Sequence, residues 1–341
     1  MIKILTIDGG GIRGVLPGQI LTKLEYKLAE ALGNPHAKIG DYFDMIAGTS
    51  TGGILTAFLL CPGEDGKAKY TAKEAVSIYL EKGSEIFESS LSKVITSGAG
   101  FLDEKYDVGN LEKILKEKLG ENTWLSDLIK PCLITAYDVE SRRAFFFNQF
   151  EANEKQAYNF KAWEIARATS AAPTYFQAAK IKNYQGDSFA LIDGGVFANN
   201  PALCAYVEAR NNFKKANDKS ISAKDIFLVS LGTGSIKKPY MYNHVKDYGV
   251  AQWVKPLVDI MMSGSAETVD FQLKNIFESE GVLNQYVRIE PNMGASDNEM
   301  DNVSAENLQA LKVAGEDSAA QFEDRLDYIV EQLIKEDVFQ S

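Results

Sequence analysis

Short apolar runs recur along the chain at Ile2–Ile7, Phe43–Ala47, Cys132–Tyr137, Ala144–Phe147, Phe189–Ile192, Ile226–Leu231 and Tyr286–Ile289. Runs of this length with little polar alternation predict strands covered on both faces. Between them the period lengthens. In Gln19–Leu32, apolar residues Ile20, Leu21, Leu24, Leu28 and Leu32 recur at helical spacing, and Gly33 supplies a stop. Leu111, Ile114, Leu115 and Leu119 form a second stripe ended by Gly120; Phe322, Leu326, Ile329, Val330 and Leu333 form another. Thr71-Ala72-Lys73-Glu74 is a capping box that opens a further helix. Strands alternating with helices predict an α/β fold with a mostly parallel central sheet. The stretch Gly83–Asp107 is the least regular, and a loop of that length inside a compact domain predicts a lid or a plain surface excursion.

Composition adds bounds. The 341 residues are 45% hydrophobic, enough for a large core without a disulfide or metal staple. A net charge of -11 argues against nucleic-acid binding and against purely electrostatic docking on anionic lipid. Three widely spaced cysteines, Cys61, Cys132 and Cys204, read as small buried hydrophobes rather than a disulfide framework. The opening residues read as a core strand with no signal-peptide pattern, and no apolar run is long enough to span a bilayer. A cytoplasmic location is the expectation. The two histidines, His36 and His244, both sit in turn-like stretches, so a Ser-His-Asp triad has few candidate bases.

Three motifs carry chemistry. Gly48-Thr49-Ser50-Thr51-Gly52 follows one apolar run and precedes a helix-forming segment. That is the strand–turn–helix setting of a nucleophile elbow, with glycines that let strand and helix approach. Asp8-Gly9-Gly10-Gly11-Ile12-Arg13-Gly14 follows the first strand. Gly9, Gly11 and Gly14 match the dinucleotide-binding GxGxxG spacing, and the same loop can aim backbone amides at an oxyanion. Asp193-Gly194-Gly195 follows Phe189–Ile192 and places a carboxylate at a strand end, although Asp-Gly alone is commonly a turn. Asp301, Arg167 and Ser170 read as structural, and Phe145-Phe146-Phe147 as core rather than lipid contact.

Taken together and in this order, the motifs resemble the patatin-like phospholipases. The likeness runs the length of the chain, through Asp41-Tyr42-Phe43-Asp44, Ala171-Ala172-Pro173-Thr174-Tyr175-Phe176, Ser230-Leu231-Gly232-Thr233-Gly234 and Met300-Asp301. It implies a three-layer patatin-like fold, with residues 4–207 as the catalytic region and 208–341 completing the same domain. It implies a Ser-Asp dyad without histidine: Ser50 as nucleophile, Asp193 as general base, and Gly9, Gly10 and Gly11 as oxyanion donors beside Arg13. Gly14, Gly48, Gly52, Gly194 and Gly195 complete the motifs. The implied activity is hydrolysis of fatty acyl esters of glycerophospholipids at a membrane or micelle surface. No cofactor or metal is implied, and a regulatory partner or ligand stays open. The alternatives are a soluble carboxylesterase or thioesterase, a non-catalytic binding or storage protein, and a nucleotide-cofactor binder.

Overall fold

A computed structural model describes residues 1–86, 106, 108–214, 220–236 and 239–335. An eight-stranded sheet runs through it, with strands β1 (Ile2–Ile7), β2 (Met45–Thr49), β3 (Cys132–Asp138), β4 (Arg143–Asn148), β5 (Ala179–Lys182), β6 (Ser188–Asp193), β7 (Ile226–Leu231) and β8 (Tyr286–Ile289). The principal helices are α1 (Val15–Leu32), α2 (Thr51–Leu59), α3 (Ala72–Ile86), α4 (Val108–Leu119), α5 (Ala162–Thr169), α6 (Ala202–Asn212), α7 (Val250–Ser279), α8 (Ala305–Gln321) and α9 (Glu323–Ile334). The sheet order is β5-β6-β3-β2-β1-β7-β8, with β4 paired to β3.

Alternation along β1 shows why the fold has three layers. Leu5 and Ile7 join one core cluster with α1, α2, α8 and α9, while Ile2 and Ile4 join another with α6 and the second half of α7. Successive side chains on a strand point to opposite faces, so a strand apolar at every position needs helices on both. The capping box at Thr71 forms as predicted: the Thr71 hydroxyl accepts from the Glu74 amide at 3.1 Å, and Glu74 accepts from the Thr71 amide at 2.8 Å.

Strands β3, β2, β1, β7 and β8 run parallel, and β4, β5 and β6 form an antiparallel wing. The parallel part carries the expected apolar runs. Strand β5 was not foreseen, because Ala179-Lys180-Ile181-Lys182 is a short edge strand with its lysines in solvent. Helix α3 runs on through Gly83 to Ile86, into the stretch expected to be irregular; residues 87–105 and 107 lie outside the described residues.

The register at β3 matters most for the site. Strand β4 occupies one edge of β3 from Leu133 to Asp138. Strands β2 and β6 share the other edge. Thr49, the last residue of β2, pairs with Thr135, and Asp193, the last residue of β6, pairs with the next position, Ala136. Because β2 is parallel to β3 and β6 antiparallel, their carboxyl ends meet head to head.

Candidate active site

Ser50 follows that junction directly. Its backbone is at φ 56°, ψ −122°, a left-handed conformation that costs a non-glycine residue about 1–3 kcal/mol. The strain is held from several sides. The Ser50 amide donates to Thr169 Oγ1 at 2.8 Å, and the Thr169 hydroxyl donates to the Thr135 carbonyl at 2.7 Å. The Thr49 hydroxyl donates to the Ala198 carbonyl at 2.6 Å and lies 2.7 Å from the Thr135 hydroxyl. A Cβ at Gly48 would collide with the Gly52 carbonyl, and one at Gly52 with the Ile7 carbonyl. The elbow glycines are therefore needed for close approach, as expected from the motif.

Asp193 is buried, lines the same cavity as Ser50, and accepts from the Gly195 amide at 2.7 Å. Burial pushes its carboxyl up to about 6, although the Ser50 side chain and the Gly195 amide pull the other way. Gly194 packs where a Cβ would strike the Thr135 hydroxyl, so the turn lies flat against β3. Both histidines are exposed, His36 in a turn as expected and His244 in a short helix, Tyr242–Val245, rather than a loop.

The glycine loop presents a more selective arrangement than the sequence suggested. The Gly9 amide donates to the Asn199 carbonyl at 3.0 Å, so it is not free to receive an oxyanion. The amides of Gly10 and Gly11 have no acceptor among the described residues. Their orientation follows from the carbonyls on the other side of each peptide. The Gly9 carbonyl accepts from Thr233 Oγ1 at 2.8 Å, and the Gly10 carbonyl accepts from the Arg13 amide at 3.2 Å and Arg13 Nε at 3.3 Å. In a trans peptide the N–H points opposite the C=O, so fixing these carbonyls turns the Gly10 and Gly11 amides away from Thr233 and Arg13. Gly11 sits at φ 59°, a conformation open to glycine, and lines the same cavity as Ser50. Gly14 lets α1 start against the elbow, since a Cβ there would strike the Thr51 hydroxyl.

Arg13 therefore differs from expectation. It donates to the Gly10 carbonyl and to Asn298 Oδ1 and lines a second cavity, not the one at Ser50. Behind it lies support that the motifs did not reveal. Arg288 grips Asp8 with two bonds, at 3.0 and 2.7 Å, and also donates to Ser230 and Glu290. Glu290 in turn accepts from the Gly234 amide at 2.9 Å, steadying the turn that carries Thr233. Burial alone would lower the Arg288 pKa, but the Asp8 carboxylate and its hydrogen bonds raise it; burial pushes Asp8 up to about 6 against the pull of Arg288, so the pair is charged at neutral pH and Asp8 takes up a proton below about 6. Arg288 and Glu290 end a strand that reads as apolar, and charge at a buried strand end was the available signal.

The other singled-out residues have partners of their own, and Ser170 also lines the Ser50 cavity. Asp301 accepts from the Tyr106 hydroxyl at 2.7 Å. Arg167 donates to the Gln177 carbonyl at 2.6 Å, and the Ser170 hydroxyl donates back to the Ala166 carbonyl at 2.8 Å. Phe147 is fully buried and Phe145 packs against Phe160 and Phe189, whereas Phe146 lies on the other face, partly exposed, against Phe197.

The Ser50 cavity is walled by Ile54, Ile78, Leu115, Phe176, Val196 and Met261, among others, with Asp193 the one charged group among its described lining residues. An elbow serine, a buried carboxylate and Gly11 of the glycine loop thus share one cavity with apolar walls. Residues 5–206 match the family model described as "Patatin-like phospholipase". "Patatin-like protein 2" of Oryza sativa subsp. indica is 35% identical over 338 residues, covering 93% of this chain and 83% of the relative. "Probable inactive patatin-3-Kuras 1" of Solanum tuberosum is 33% identical over 328 residues, covering 93% and 86%. The chain belongs to the patatin-like phospholipase family. Among solved structures, VipD from Legionella pneumophila aligns with 95% of this chain and 67% of its own, at 14% identity and a TM-score of 0.39.

Proposed function

We propose that this chain is a serine lipid acyl hydrolase of phospholipase A type, with Ser50 as nucleophile and Asp193 as its base. The observation that carries the reading is that the strained Ser50 and the buried Asp193, whose carboxyl is pulled down by the Ser50 side chain, line one apolar cavity. Membership of the family alone would not suffice, since one relative is named inactive.

In the first half-reaction Asp193 takes the Ser50 proton as Oγ attacks the acyl carbonyl carbon. The carbonyl π pair moves onto oxygen, opposite the Gly10 and Gly11 amides. Collapse breaks the bond to the glycerol oxygen, which leaves with the proton from Asp193. In the second, Asp193 takes a proton from water, hydroxide attacks the acyl-enzyme, and the fatty acid departs as Ser50 is reprotonated. A carboxyl at about 6 is a better base than a free aspartate and is still ionised at neutral pH. A missing oxyanion donor costs about 3 kcal/mol in comparable sites, so the two amides supply a large share of the rate.

The test is release of fatty acid from phosphatidylcholine, followed by mass spectrometry, with fluorophosphonate labelling alongside. Ser50→Ala should abolish labelling, and both Ser50→Ala and Asp193→Asn should cut turnover by about 10⁴-fold or more. Undiminished release by either variant would sink the reading.

A further inference from the structure

Helix α7 divides into two unlike halves. In the second half Leu273 and Phe277 are fully buried in the core. In the first half, no described side chain from Gln252 to Ala266 is buried, yet the composition is apolar. Leu257 is 50% exposed, Val258 38%, Ile260 42% and Met261 48%. At 3.6 residues per turn these four fall within an arc of about 160°. Asp259 falls opposite that arc. Asp259 is held there, accepting from the Tyr240 hydroxyl at 3.1 Å. An exposed apolar helical face of this kind marks an interaction surface.

Its position says what it meets. Val258 and Met261 belong both to the exposed face and to the wall of the Ser50 cavity, and Met262 reaches over Gly195, 3.6 Å from its Cβ position. The outer face and the cavity are therefore one continuous apolar path. A surface that leads to the acyl site fits an occupant that enters it. Charge narrows the occupant further. The face carries no net charge, whereas the whole chain is at -11 and is repelled by anionic bilayers. No helix among the described residues is long and apolar enough to cross a membrane, so α7 lies on the surface rather than through it.

We propose that the first half of α7 is the face by which this chain docks on an electrically neutral lipid surface, delivering zwitterionic lipid to Ser50; this rests on the hydrolase reading above. The test separates docking from chemistry. Binding is measured by co-sedimentation with phosphatidylcholine vesicles in Ser50→Ala protein, where no lipid is consumed. Leu257→Ser/Ile260→Ser in that background should bind about tenfold more weakly or worse, and added phosphatidylglycerol should not strengthen binding. With Ser50 intact, the same double variant should hydrolyse a soluble short-chain nitrophenyl ester at the native rate, because neither residue lines the cavity.

Equal vesicle binding by the double variant overturns the proposal, as does tighter binding to anionic vesicles. So does a native dimer, seen by sedimentation velocity, that the double variant dissociates, since the face would then belong to a second copy. Loss of the soluble-ester activity in the double variant also overturns it. If native protein cleaves no ester and takes no fluorophosphonate, while the vesicle-binding difference persists, the hydrolase reading fails and the docking face stands.

Discussion

The two sides of the glycine loop are built on opposite rules. On the side of Thr233, Arg13 and Arg288, loop carbonyls and the Asp8 carboxylate have partners, drawn from strands and turns far along the chain. On the other side, the Gly10 and Gly11 amides have no acceptor among the described residues, and Gly11 lines the apolar cavity of Ser50. Unpaired buried amides are costly, and a loop free to move would relieve them by turning over. The satisfied side prevents that. What looks like ordinary structural support is thus the reason that the reactive side can stay unsatisfied.

The largest break in this comparison comes from removing the ion pair. Arg288→Met leaves Asp8 buried without its partner and should destabilise the fold by about 3–5 kcal/mol, seen in urea unfolding. Next is Thr233→Val, which keeps the volume but frees the Gly9 carbonyl. We expect kcat on a soluble ester to fall by about 10–100-fold with KM little changed, and Thr233→Ser to recover most of it. A purely structural role for Thr233 would instead lower stability and spare kcat.

The reactive side can be sharpened by pH. With Asp193 titrating at about 6, kcat/KM should rise with pH up to about 6 and level off above it. Stability should move the other way. Between the ordinary carboxylate pKa of about 4 and the native value, the folded chain holds a proton that the unfolded chain has released. That contribution is fully present below about 4 and is lost by about pH 6, up to about 3 kcal/mol. Asp8, pushed by burial up to about 6, adds the same sign in the same window, and Glu25, pushed up to about 7, over a wider one. Thermal unfolding of native protein and Asp193→Asn at several pH values isolates the Asp193 contribution from those of Asp8 and Glu25. The smallest effect belongs to the histidines: His36→Gln and His244→Gln should leave ester hydrolysis unchanged, and a large loss in either would reinstate a triad.

Much of this was legible beforehand. The apolar runs located β1, β7 and β8 to the residue, because strands covered on both faces leave no polar alternation to confuse their ends. The elbow and the Asp193 turn were legible because their chemistry is local: a glycine two residues away is enough to reveal the crowding. The direction of each loop amide was not. Whether Gly9 or Gly11 faces the cavity depends on Asn199, Thr233 and Arg13, contacts that no spacing records. The first half of α7 was missed for the opposite reason, since its apolar residues have no core to match.

The head-to-head meeting of β2 and β6 along one edge of β3 has a consequence for how this fold can vary. The gap between hydroxyl and carboxylate is gauged by consecutive rungs of a single ladder, Thr135 and Ala136, and by no connecting loop. Evolution or an engineer can therefore lengthen the turns at 62–68 or 183–187 at little cost. One residue inserted between those rungs would widen the gap by a full strand step of about 3.3 Å, beyond hydrogen-bond reach.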